Sequence, residues 1–321
     1  MKALLYSAYG GPDRLSIKEK PKPAPAENEV LVEVHAVSLN SWDYDLLRGK
    51  PFVTRMVGPF RPTYSCLGAD IAGVVSELGS EVTDWKVGDR VFGDLSGDDW
   101  SGLAEYTTAK PSSLARIPSE MDFLTAASLP QAGVMAVQGI VDYGQVEAGM
   151  RVAINGAGGG VGTLALQLAK NRGAEVTAID HRTKLDALGK LGADATVDYR
   201  QRDFTEQEGA YDLILDMVAR RSLKKYRRAL AAGGRFVLVG GKATTILQTL
   251  LSGRRQDAEG RHLQLLMHAP NQGLAELGQQ VSEGALRPII DRVFPLEEGV
   301  DAFRYFGENQ FVGKVMVQVK E

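Results

Sequence analysis

Residues 149–169 constrain the fold most, because they combine a buried strand, a glycine turn and a helix in one stretch. Residues 151–155 form a short apolar run with polar flanks, as a strand inside a parallel sheet does. Apolar residues then recur at helical spacing, at Val161, Leu164, Ala165, Leu168 and Ala169. A strand that passes through glycines into a helix is typical of an α/β domain that binds a nucleotide.

The glycine turn reads GAGGGVG over residues 156–162 and departs from the strict G-x-G-x-x-G pattern. Ala157 stands at the first glycine position, which is acceptable if the turn needs no positive φ there. Glycines in such a turn allow a pyrophosphate to approach the N–H groups of the helix N-terminus. An acidic residue, Asp180, follows roughly 20 residues later, as in dinucleotide sites. We therefore predict a dinucleotide site, with a glycine-rich turn of another α/β protein as the alternative. The predicted binding residues of the turn are Asn155, Gly158, Gly159, Gly160 and Val161.

Composition excludes several classes of protein. The chain has 321 residues, enough for two domains, and a formal net charge of −3, so no basic surface indicates a nucleic-acid partner. Its single cysteine, Cys66, excludes an intrachain disulfide and a zinc site of several cysteines. The first residues lack a signal-peptide pattern, and no apolar run reaches about 18 residues. We expect a cytoplasmic protein without a membrane span.

Two styles of secondary structure indicate two domains. Many short strands with Gly and Pro turns, among them residues 29–37 and 68–78, predict a β-rich domain before Asp122. Residues 41–47 are predicted to form a short helix capped by Ser41. From Arg151 strands and helices alternate, which predicts a doubly wound parallel sheet with strands at 151–155, 175–180, 195–198, 213–216, 235–240 and 262–267. The predicted fold is therefore α/β, with a Rossmann domain at residues 123–268 inserted in a split β-rich domain of residues 1–122 and 269–321.

Several segments resemble the medium-chain dehydrogenase/reductase superfamily, in its zinc-free quinone oxidoreductase branch. They are YGGPDRLSIKEKPKPAPAENEVLVEV, SLNSWDYDLLRG, GADIAGVVSELGSEVTDWKVGDRVFG, the GGGVG turn, KLGADATVDY, GGRFVLVGG and VGKVMVQV. They cover nearly the whole chain, and the GDRV and GGVG motifs occur in the order that the superfamily shows. The resemblance implies a GroES-like fold for the β-rich domain and hydride transfer with a nicotinamide cofactor.

The resemblance also locates where zinc-dependent members bind their metal. Matching by motif places their cysteines at Asn40 and near Gln131, and their histidine at Ala69. None of these side chains is a nitrogen or sulfur ligand of the kind that zinc prefers. Cys66 is interpreted as a small buried hydrophobic residue. We therefore expect no zinc, and a hydride transfer from NAD(P)H to a quinone or an activated enone that depends on positioning.

The candidates for the substrate pocket are Asn40, Tyr44 and Tyr64. The branch tends to carry asparagine at the position of Asn40, which would hydrogen-bond the cofactor ribose or the substrate oxygen, or else stabilise a turn. Tyr44, Tyr64 and Trp42 would stack on a flat ring or donate a hydrogen bond, or else pack in half-buried positions. Asp43 is expected to make a structural hydrogen bond. We expect the active cleft at the junction of the two domains.

The choice between NADPH and NADH rests on conflicting residues. Asp180 ends the second predicted strand, where a carboxylate binds ribose hydroxyls and repels a 2′-phosphate. His181, Arg182 and Lys184 follow at once, and basic side chains suit a phosphate. Because most of the branch resembles NADPH users, we favour NADPH and keep NADH as the alternative. Further cofactor-binding candidates lie at or after strand ends, at Tyr199, Met217, Val239, Gly240, Met267 and His268.

The last predicted strand of the parallel sheet leads to an expectation about assembly. The apolar strand at residues 262–267 ends the sheet, and an exposed edge tends to pair, so we expect a homodimer.

The alternative functions are an alkenal or enone double-bond reductase and a nucleotide-binding regulatory protein with little turnover. The last alternative stays open because no catalytic acid is apparent and Met135 replaces a threonine that the branch usually places near the carboxamide.

Overall fold

The computed structural model describes residues 1–56, 58–252 and 256–320. The chain divides into two compact units. The first unit comprises Met1–Val134, Ala269–Gly284 and Ile290–Glu321, and the second comprises Met135–His268 and Ala285–Ile289. No helix in the described ranges is long and apolar enough to cross a bilayer.

The described strands are, in chain order, β1 (Lys2–Leu5), β2 (Ser16–Glu19), β3 (Val30–Ser38), β4 (Asp70–Leu78), β5 (Arg90–Asp94), β6 (Tyr106–Ala109), β7 (Ala115–Arg116), β8 (Arg151–Asn155), β9 (Glu175–Asp180), β10 (Ala195–Asp198), β11 (Tyr211–Asp216), β12 (Leu230–Leu238), β13 (His262–Leu265), β14 (Ile290–Pro295) and β15 (Lys314–Gln318). The α-helices are α1 (Ser41–Arg48), α2 (Phe123–Ala127), α3 (Pro130–Val137), α4 (Gly160–Asn171), α5 (Arg182–Lys190), α6 (Leu223–Ala229), α7 (Ala243–Ser252), α8 (Leu274–Ser282) and α9 (Gly299–Glu308). Short 3₁₀ turns lie at Pro12–Arg14, Phe52–Arg55, Pro111–Ser113 and Leu296–Glu298, and a π-helical segment lies at Gln138–Tyr143.

The first unit is organised by one mostly antiparallel sheet. Its described strands run in the order β14-β15-β3-β4-β5-β7, with β6 paired to β3. The pairing of β14 with β15 is parallel. Strand β3 lies inside the sheet, and its apolar residues Val30, Val32 and Val34 are fully buried. Burial of each such side chain stabilises the fold by about 1.5–3 kcal/mol.

The second unit contains a six-stranded parallel sheet in the order β10-β9-β8-β11-β12-β13. This is the strand order of a doubly wound nucleotide-binding fold, as the sequence predicts. The central strands are apolar in their middle residues, and Val152, Ala153 and Ile154 of β8 are fully buried. Parallel strands covered on both faces need such continuous apolar runs.

Several predicted boundaries were wrong, most of them by one or two residues, and those at α1 and β12 have a physical reason. The N-cap of α1 is Asn40 rather than Ser41, because the Asp43 carboxylate accepts a hydrogen bond from the backbone N–H of Asn40 at 2.9 Å and completes a capping box. Strand β12 begins at Leu230, five residues before the predicted start at 235 (235 − 230 = 5). Leu230 pairs with Tyr211, and an irregularity in the register separates that pair from the rest of the ladder.

Candidate functional site

A buried polar cluster lies in the first unit, where α1, β4 and β15 begin. Its members Asn40, Asp43, Asp70 and Lys314 each have at most 7% of their surface exposed. The register of the sheet explains why they meet. Strand β3 ends at Ser38, which pairs with Asp70 at the start of β4, and with Met316 near the start of β15. Helix α1 follows β3 directly and adds its first residues to the same place.

An ion pair lies at the centre of this polar cluster. The Nζ atom of Lys314 is 3.6 Å from Oδ2 of Asp70 and donates a hydrogen bond of 2.6 Å to Oδ1 of Asn40. Asp70 also accepts from Ser38 Oγ and from the backbone N–H of Gln131, each at 3.1 Å. Burial lowers the pKa of Lys314, and burial raises the pKa of Asp70 to about 6 although Lys314 opposes that rise. Each charge is therefore stabilised by the other, because burial destabilises either charge alone.

Asp43 holds the start of α1 against the loop before β4. Its carboxylate accepts from the backbone N–H groups of Asn40 at 2.9 Å and Gly68 at 2.8 Å. The predicted structural hydrogen bond of Asp43 is thus confirmed. Burial raises the pKa of Asp43 to about 7, despite these two backbone donors.

The amide nitrogen of Asn40 faces a different environment from its oxygen. Nδ2 is buried and makes no hydrogen bond of good geometry within residues 1–56, 58–252 and 256–320. Nδ2 faces the Asp70 carboxyl, and the side-chain interaction of Asn40 with that carboxyl lowers the pKa of Asp70. Asn40 therefore lies between the ammonium of Lys314 and the carboxyl of Asp70, with its oxygen toward the first and its nitrogen toward the second.

An aromatic cavity of about 200 Å³ also lies in the first unit. Its lining residues are Tyr6, Tyr9, Trp42, Leu46, Thr54, Pro62, Thr63, Tyr64, Ser96 and Trp100. The rings of Tyr64 and Trp100 are tilted at 43° with their centroids 5.9 Å apart. Burial raises the pKa of Tyr6, so its phenol stays protonated as a hydrogen-bond donor. Aromatic walls of this kind suit a flat conjugated molecule.

Trp100 adopts an unusual backbone conformation in that wall. Its φ is 60°, in the left-handed region that bulky residues avoid, and it is 2% exposed. Such a conformation costs of order 1–3 kcal/mol and persists only where the surrounding structure enforces it. The wall of the aromatic cavity is therefore built at the expense of local stability.

The structure separates the two predicted tyrosines. Tyr64 lines the aromatic cavity, whereas the ring of Tyr44 packs against Phe306 of α9 at 5.8 Å, beneath the guanidinium of Arg48. Tyr44 therefore has the half-buried packing that the sequence left open as its alternative role.

Sequence reasoning missed several residues of these two sites. Tyr6, Tyr9 and Trp100 come from separate segments, and no local pattern joins them. Lys314 did carry a signal, because it is a lone lysine at the start of the apolar run KVMVQV. A lysine buried at the start of a core strand needs a buried carboxylate as its partner, and Asp70 is that partner.

The glycine turn of the second unit has the shape that a pyrophosphate requires. The N-cap of α4 is Gly159, which has no side chain to accept from the N–H groups of the first helical turn. A Cβ atom at Gly158 would lie 2.6 Å from Cδ of Lys184 and 3.0 Å from Oδ2 of Asp180. Gly156 takes a φ of 88°, while Ala157 is not among the residues with positive φ. The turn thus tolerates alanine and leaves its helix N-terminus open to an anion.

Asp180 is engaged by its own backbone surroundings. Its Oδ2 accepts from Gly158 N–H at 2.8 Å, and its Oδ1 accepts from His181 N–H at 2.7 Å. The Nζ atom of Lys184 is 4.0 Å from Oδ1. The His181 ring lies 6.2 Å from the ring of Tyr199, so the structure brings these four predicted residues to one corner of the sheet. Arg182 is exposed at the start of α5 beside them.

The other predicted cofactor residues lie at the carboxyl edge of the parallel sheet. Asn155 donates from Nδ2 to Asp216 at 2.9 Å, and its carbonyl accepts from Met217 N–H at 3.1 Å. The carbonyl of Asp216 accepts from Val239 N–H at 2.8 Å and Gly240 N–H at 3.4 Å. Asp216, which the sequence reasoning missed, therefore joins three strand ends.

Met267 and His268 follow β13 and contact the π-helical segment. Met267 N–H donates to the Tyr143 hydroxyl at 3.2 Å, and Nδ1 of His268 is 3.4 Å from Oε1 of Gln138. Met135 is half-buried in α3. Within the described ranges, no group of three or more His, Cys, Asp or Glu side chains is arranged to hold a metal.

Comparison with known proteins identifies relatives over the whole chain. Residues 26–119 match the alcohol dehydrogenase GroES-like domain family, and residues 191–317 match the zinc-binding dehydrogenase family. The chain is 32% identical to the chloroplastic NADPH-dependent alkenal/one oxidoreductase of Arabidopsis thaliana, over 99% of this chain and 79% of that protein. It is 30% identical to the chloroplast envelope quinone oxidoreductase homolog of Arabidopsis thaliana, over 99% of this chain and 98% of that protein.

A solved structure is similar to this chain in both fold and sequence. The quinone oxidoreductase from Coxiella burnetii has a TM-score of 0.90 at 32% identity, over 100% of this chain and 99% of that one.

The pKa of Asp43 leads to a prediction for the variant Asp43→Asn. Since the pKa is about 7 in the folded state and 3.8 in a free carboxyl, the folded protein holds a proton that the unfolded chain has released. The wild-type free energy of unfolding therefore falls as pH rises from about 4 to about 7. The Asp43→Asn variant does not show this decrease, because an asparagine side chain does not titrate. Thermal unfolding followed by circular dichroism should show the variant gaining stability relative to wild type between about pH 4 and pH 8.

The control is Asp142→Asn, which replaces an exposed carboxyl. Its pH profile should run parallel to that of the wild type. A profile of Asp43→Asn that also runs parallel would contradict the raised pKa.

Proposed function

Because the chain belongs to the quinone oxidoreductase-like members of the medium-chain dehydrogenase/reductase superfamily, we propose that it transfers a hydride from NADPH to a quinone or an activated enone. The observation that carries this proposal is the aromatic cavity, whose rings suit a flat conjugated acceptor. Its volume lies below the roughly 300–1,000 Å³ of typical ligand sites, which favours small acceptors. Quinones and alkenals, for which two of the relatives are named, are molecules of this kind.

The residues of the second unit fit a bound dinucleotide. A reduced nicotinamide supplies the hydride when it is bound. The first-turn N–H groups of α4 bind the pyrophosphate, and Gly158, Gly159, Gly160 and Val161 leave it room. The rest of the dinucleotide is oriented by residues at the carboxyl edge of the sheet. These residues are Asn155, Met217, Val239, Gly240, Met267 and His268.

The first unit supplies the acceptor site. Tyr64, Trp42 and Trp100 hold the acceptor and exclude water from it. The acceptor oxygen gains negative charge, so a preorganised donor lowers the barrier, by about 2.7–4 kcal/mol for a donor of the oxyanion-hole type. We propose Asn40 as the donor either to this oxygen or to the cofactor ribose, with its side chain turned from Asp70 toward the ligand on binding. We further propose that the reaction is zinc-independent, because Asn40, Ala69 and Gln131 offer none of the ligands that zinc prefers.

The first experiment follows the absorbance of NADPH on mixing with a simple benzoquinone, with chelator present. We expect oxidation at the same rate with and without chelator. A chelator-sensitive rate would overturn the zinc-independent reaction, and oxidation of NADPH by alkenals but not by quinones would identify the alkenal reductase. Tight cofactor binding without oxidation by either class would favour the regulatory alternative and refute the proposed activity.

We propose NADPH as the preferred cofactor. Both oxygens of Asp180 accept backbone N–H groups, which draws the carboxylate away from a role as a ribose acceptor. Lys184 and Arg182 place positive charge beside it, where a 2′-phosphate would bind. The NADPH-dependent relative supports the same choice.

The variant Lys184→Gln tests this preference. A hydrogen bond between a cation and a phosphate contributes roughly 1.5–3 kcal/mol, so the KM for NADPH should rise about tenfold or more while that for NADH stays unchanged. Lys190→Gln is the matched control, because Lys190 lies on the same helix and is exposed beside Asp186. An equal rise of KM for both cofactors would show that Lys184 does not recognise the 2′-phosphate.

We also propose a homodimer formed through β13, and a cytoplasmic location as the sequence suggests. Strand β13 lies at the edge of the sheet, and the adjoining helix α7 exposes Leu247, Leu250 and Leu251. Leu266 N–H donates to Leu238 of β12, so the N–H of Leu265 faces outward.

Light scattering should give twice the mass of the chain for wild type and Leu265→Ala. Leu265→Pro removes the outward donor and should give a monomer. A monomeric wild type would refute the dimer.

A further inference from the structure

We propose that the first unit docks onto an anionic lipid bilayer through an apolar rim beside its aromatic cavity, and that the cavity takes a lipophilic acceptor from that bilayer. The apolar rim consists of Trp42, Phe52, Met56 and Phe60. The docking depends on the surface of this unit alone, whereas the source of the acceptor rests on the proposed function.

The apolar rim exposes side chains of a kind that folded chains usually bury. The exposed fractions are 74% for Phe52, 72% for Met56, 93% for Phe60 and 45% for Trp42. The structure describes all ten phenylalanines of the chain, and of these only Phe52 and Phe60 are exposed. Single exposed apolar residues are common on protein surfaces, but a group of large ones in one loop indicates a surface that binds a partner.

The loop that carries most of the apolar rim is held by Tyr9. The guanidinium of Arg55 lies over the Tyr9 ring, 4.5 Å from its centroid, and Nε of Arg55 donates to the Gly49 carbonyl at 2.9 Å. The hydroxyl of Tyr9 donates to the Gly58 carbonyl at 2.6 Å. Since these contacts fix the backbone on both sides of Met56, the exposed side chains are presented by an anchored loop.

The apolar rim adjoins the aromatic cavity. Trp42 itself lines that cavity, and so do Thr54 and Pro62. The other three members of the rim are each two residues along the chain from Thr54 or Pro62. Two residues span at most about 7 Å, so the whole rim lies close to the cavity. A surface that covers the rim therefore lies next to the site proposed for the acceptor.

The charge around the apolar rim favours an anionic partner. Residues 46–69 contain four basic residues and no acidic residue, although the whole chain has a formal net charge of −3. The four basic residues are Arg48, Lys50, Arg55 and Arg61. Another segment of the cavity wall carries Asp98 and Asp99, and both are offset by Lys110, whose Nζ is 2.9 Å from Asp98. The local charge is therefore opposite in sign to that of the chain.

A bilayer that contains anionic lipids fits these features together. Its surface attracts basic residues, and its apolar interior begins just below the headgroups, within reach of side chains that project from a loop. An acidic protein surface would match the charges, but it would need an apolar pocket for each projecting side chain. A quinone or an alkenal with a long apolar tail dissolves in the same bilayer, so it would reach the aromatic cavity without passing through water.

Sedimentation with lipid vesicles tests the docking. The probes are vesicles of phosphatidylcholine alone and vesicles that also contain phosphatidylserine. The wild type should sediment with the phosphatidylserine vesicles and be released by high salt, which screens the basic residues. Lys50→Gln should weaken this binding about fivefold, and Phe52→Ser with Phe60→Ser should weaken it about tenfold or more.

The matched controls are Lys18→Gln and Val87→Ser. Lys18 and Val87 are exposed on the same unit but lie outside residues 46–69, so both controls should bind like the wild type. A wild type that sediments with neither kind of vesicle, or equally with both, would overturn the proposal. A mass in light scattering without vesicles that falls on Phe52→Ser with Phe60→Ser would also overturn it, because a second copy would then cover the rim.

Turnover tests the source of the acceptor. A quinone with a long apolar tail is supplied in phosphatidylserine vesicles, and a simple benzoquinone is supplied in water, each with NADPH. Phe52→Ser with Phe60→Ser should lower kcat/KM about tenfold or more for the quinone in vesicles and leave it unchanged for benzoquinone, since neither side chain lines the cavity. An equal loss with both quinones would overturn delivery from the bilayer.

The sedimentation measurement needs no turnover. If the wild type oxidises NADPH with neither quinones nor enones, the proposed function fails, while the vesicles still decide whether the apolar rim binds a bilayer.

Discussion

The buried pairing of Lys314 with Asp70 sets the arrangement around it. Neither charge is stable there alone, and removal of one partner from such a pair costs about 3–5 kcal/mol. The pair forms only when β15, β3 and β4 align so that Ser38 pairs with both Met316 and Asp70, which brings Lys314 within reach of Asp70. A slip of one residue would send these side chains to opposite faces of the sheet. The pair therefore specifies a register and, through Asn40, the start of α1.

The second unit uses buried carboxylates in a related way. Asp180 and Asp216 accept N–H groups at the ends of strands, where the chain turns sharply and its backbone would otherwise lack partners. Each carboxylate thereby fixes the loop that follows its strand. In both units, then, buried acidic residues fix the backbone by accepting hydrogen bonds from its N–H groups.

The parts of the fold that sequence reasoning predicted are those with short-range signals. Strands β8, β9 and β10 matched their predicted bounds because apolar runs mark β8 and β9, and because a glycine shortly before each strand marks its start. The glycine turn and Asp180 were found for the same reason. The aromatic cavity was not, because Tyr6, Tyr64 and Trp100 come together only through tertiary packing. The roles of Lys314 and Asp216 likewise depend on partners that are distant in the chain, which local patterns do not reveal.

The left-handed backbone of Trp100 links the stability of the protein to the range of molecules that it accepts. A glycine adopts that conformation without strain, but it would also give up the burial of the Trp100 side chain, and loss of a buried Trp side chain costs about 3–5 kcal/mol, more than the strain. The same exchange removes an indole from the wall and widens the cavity. A change at this position that admits larger acceptors would therefore lower the stability of the fold, so the buried indole favours a narrow specificity and a stable core together.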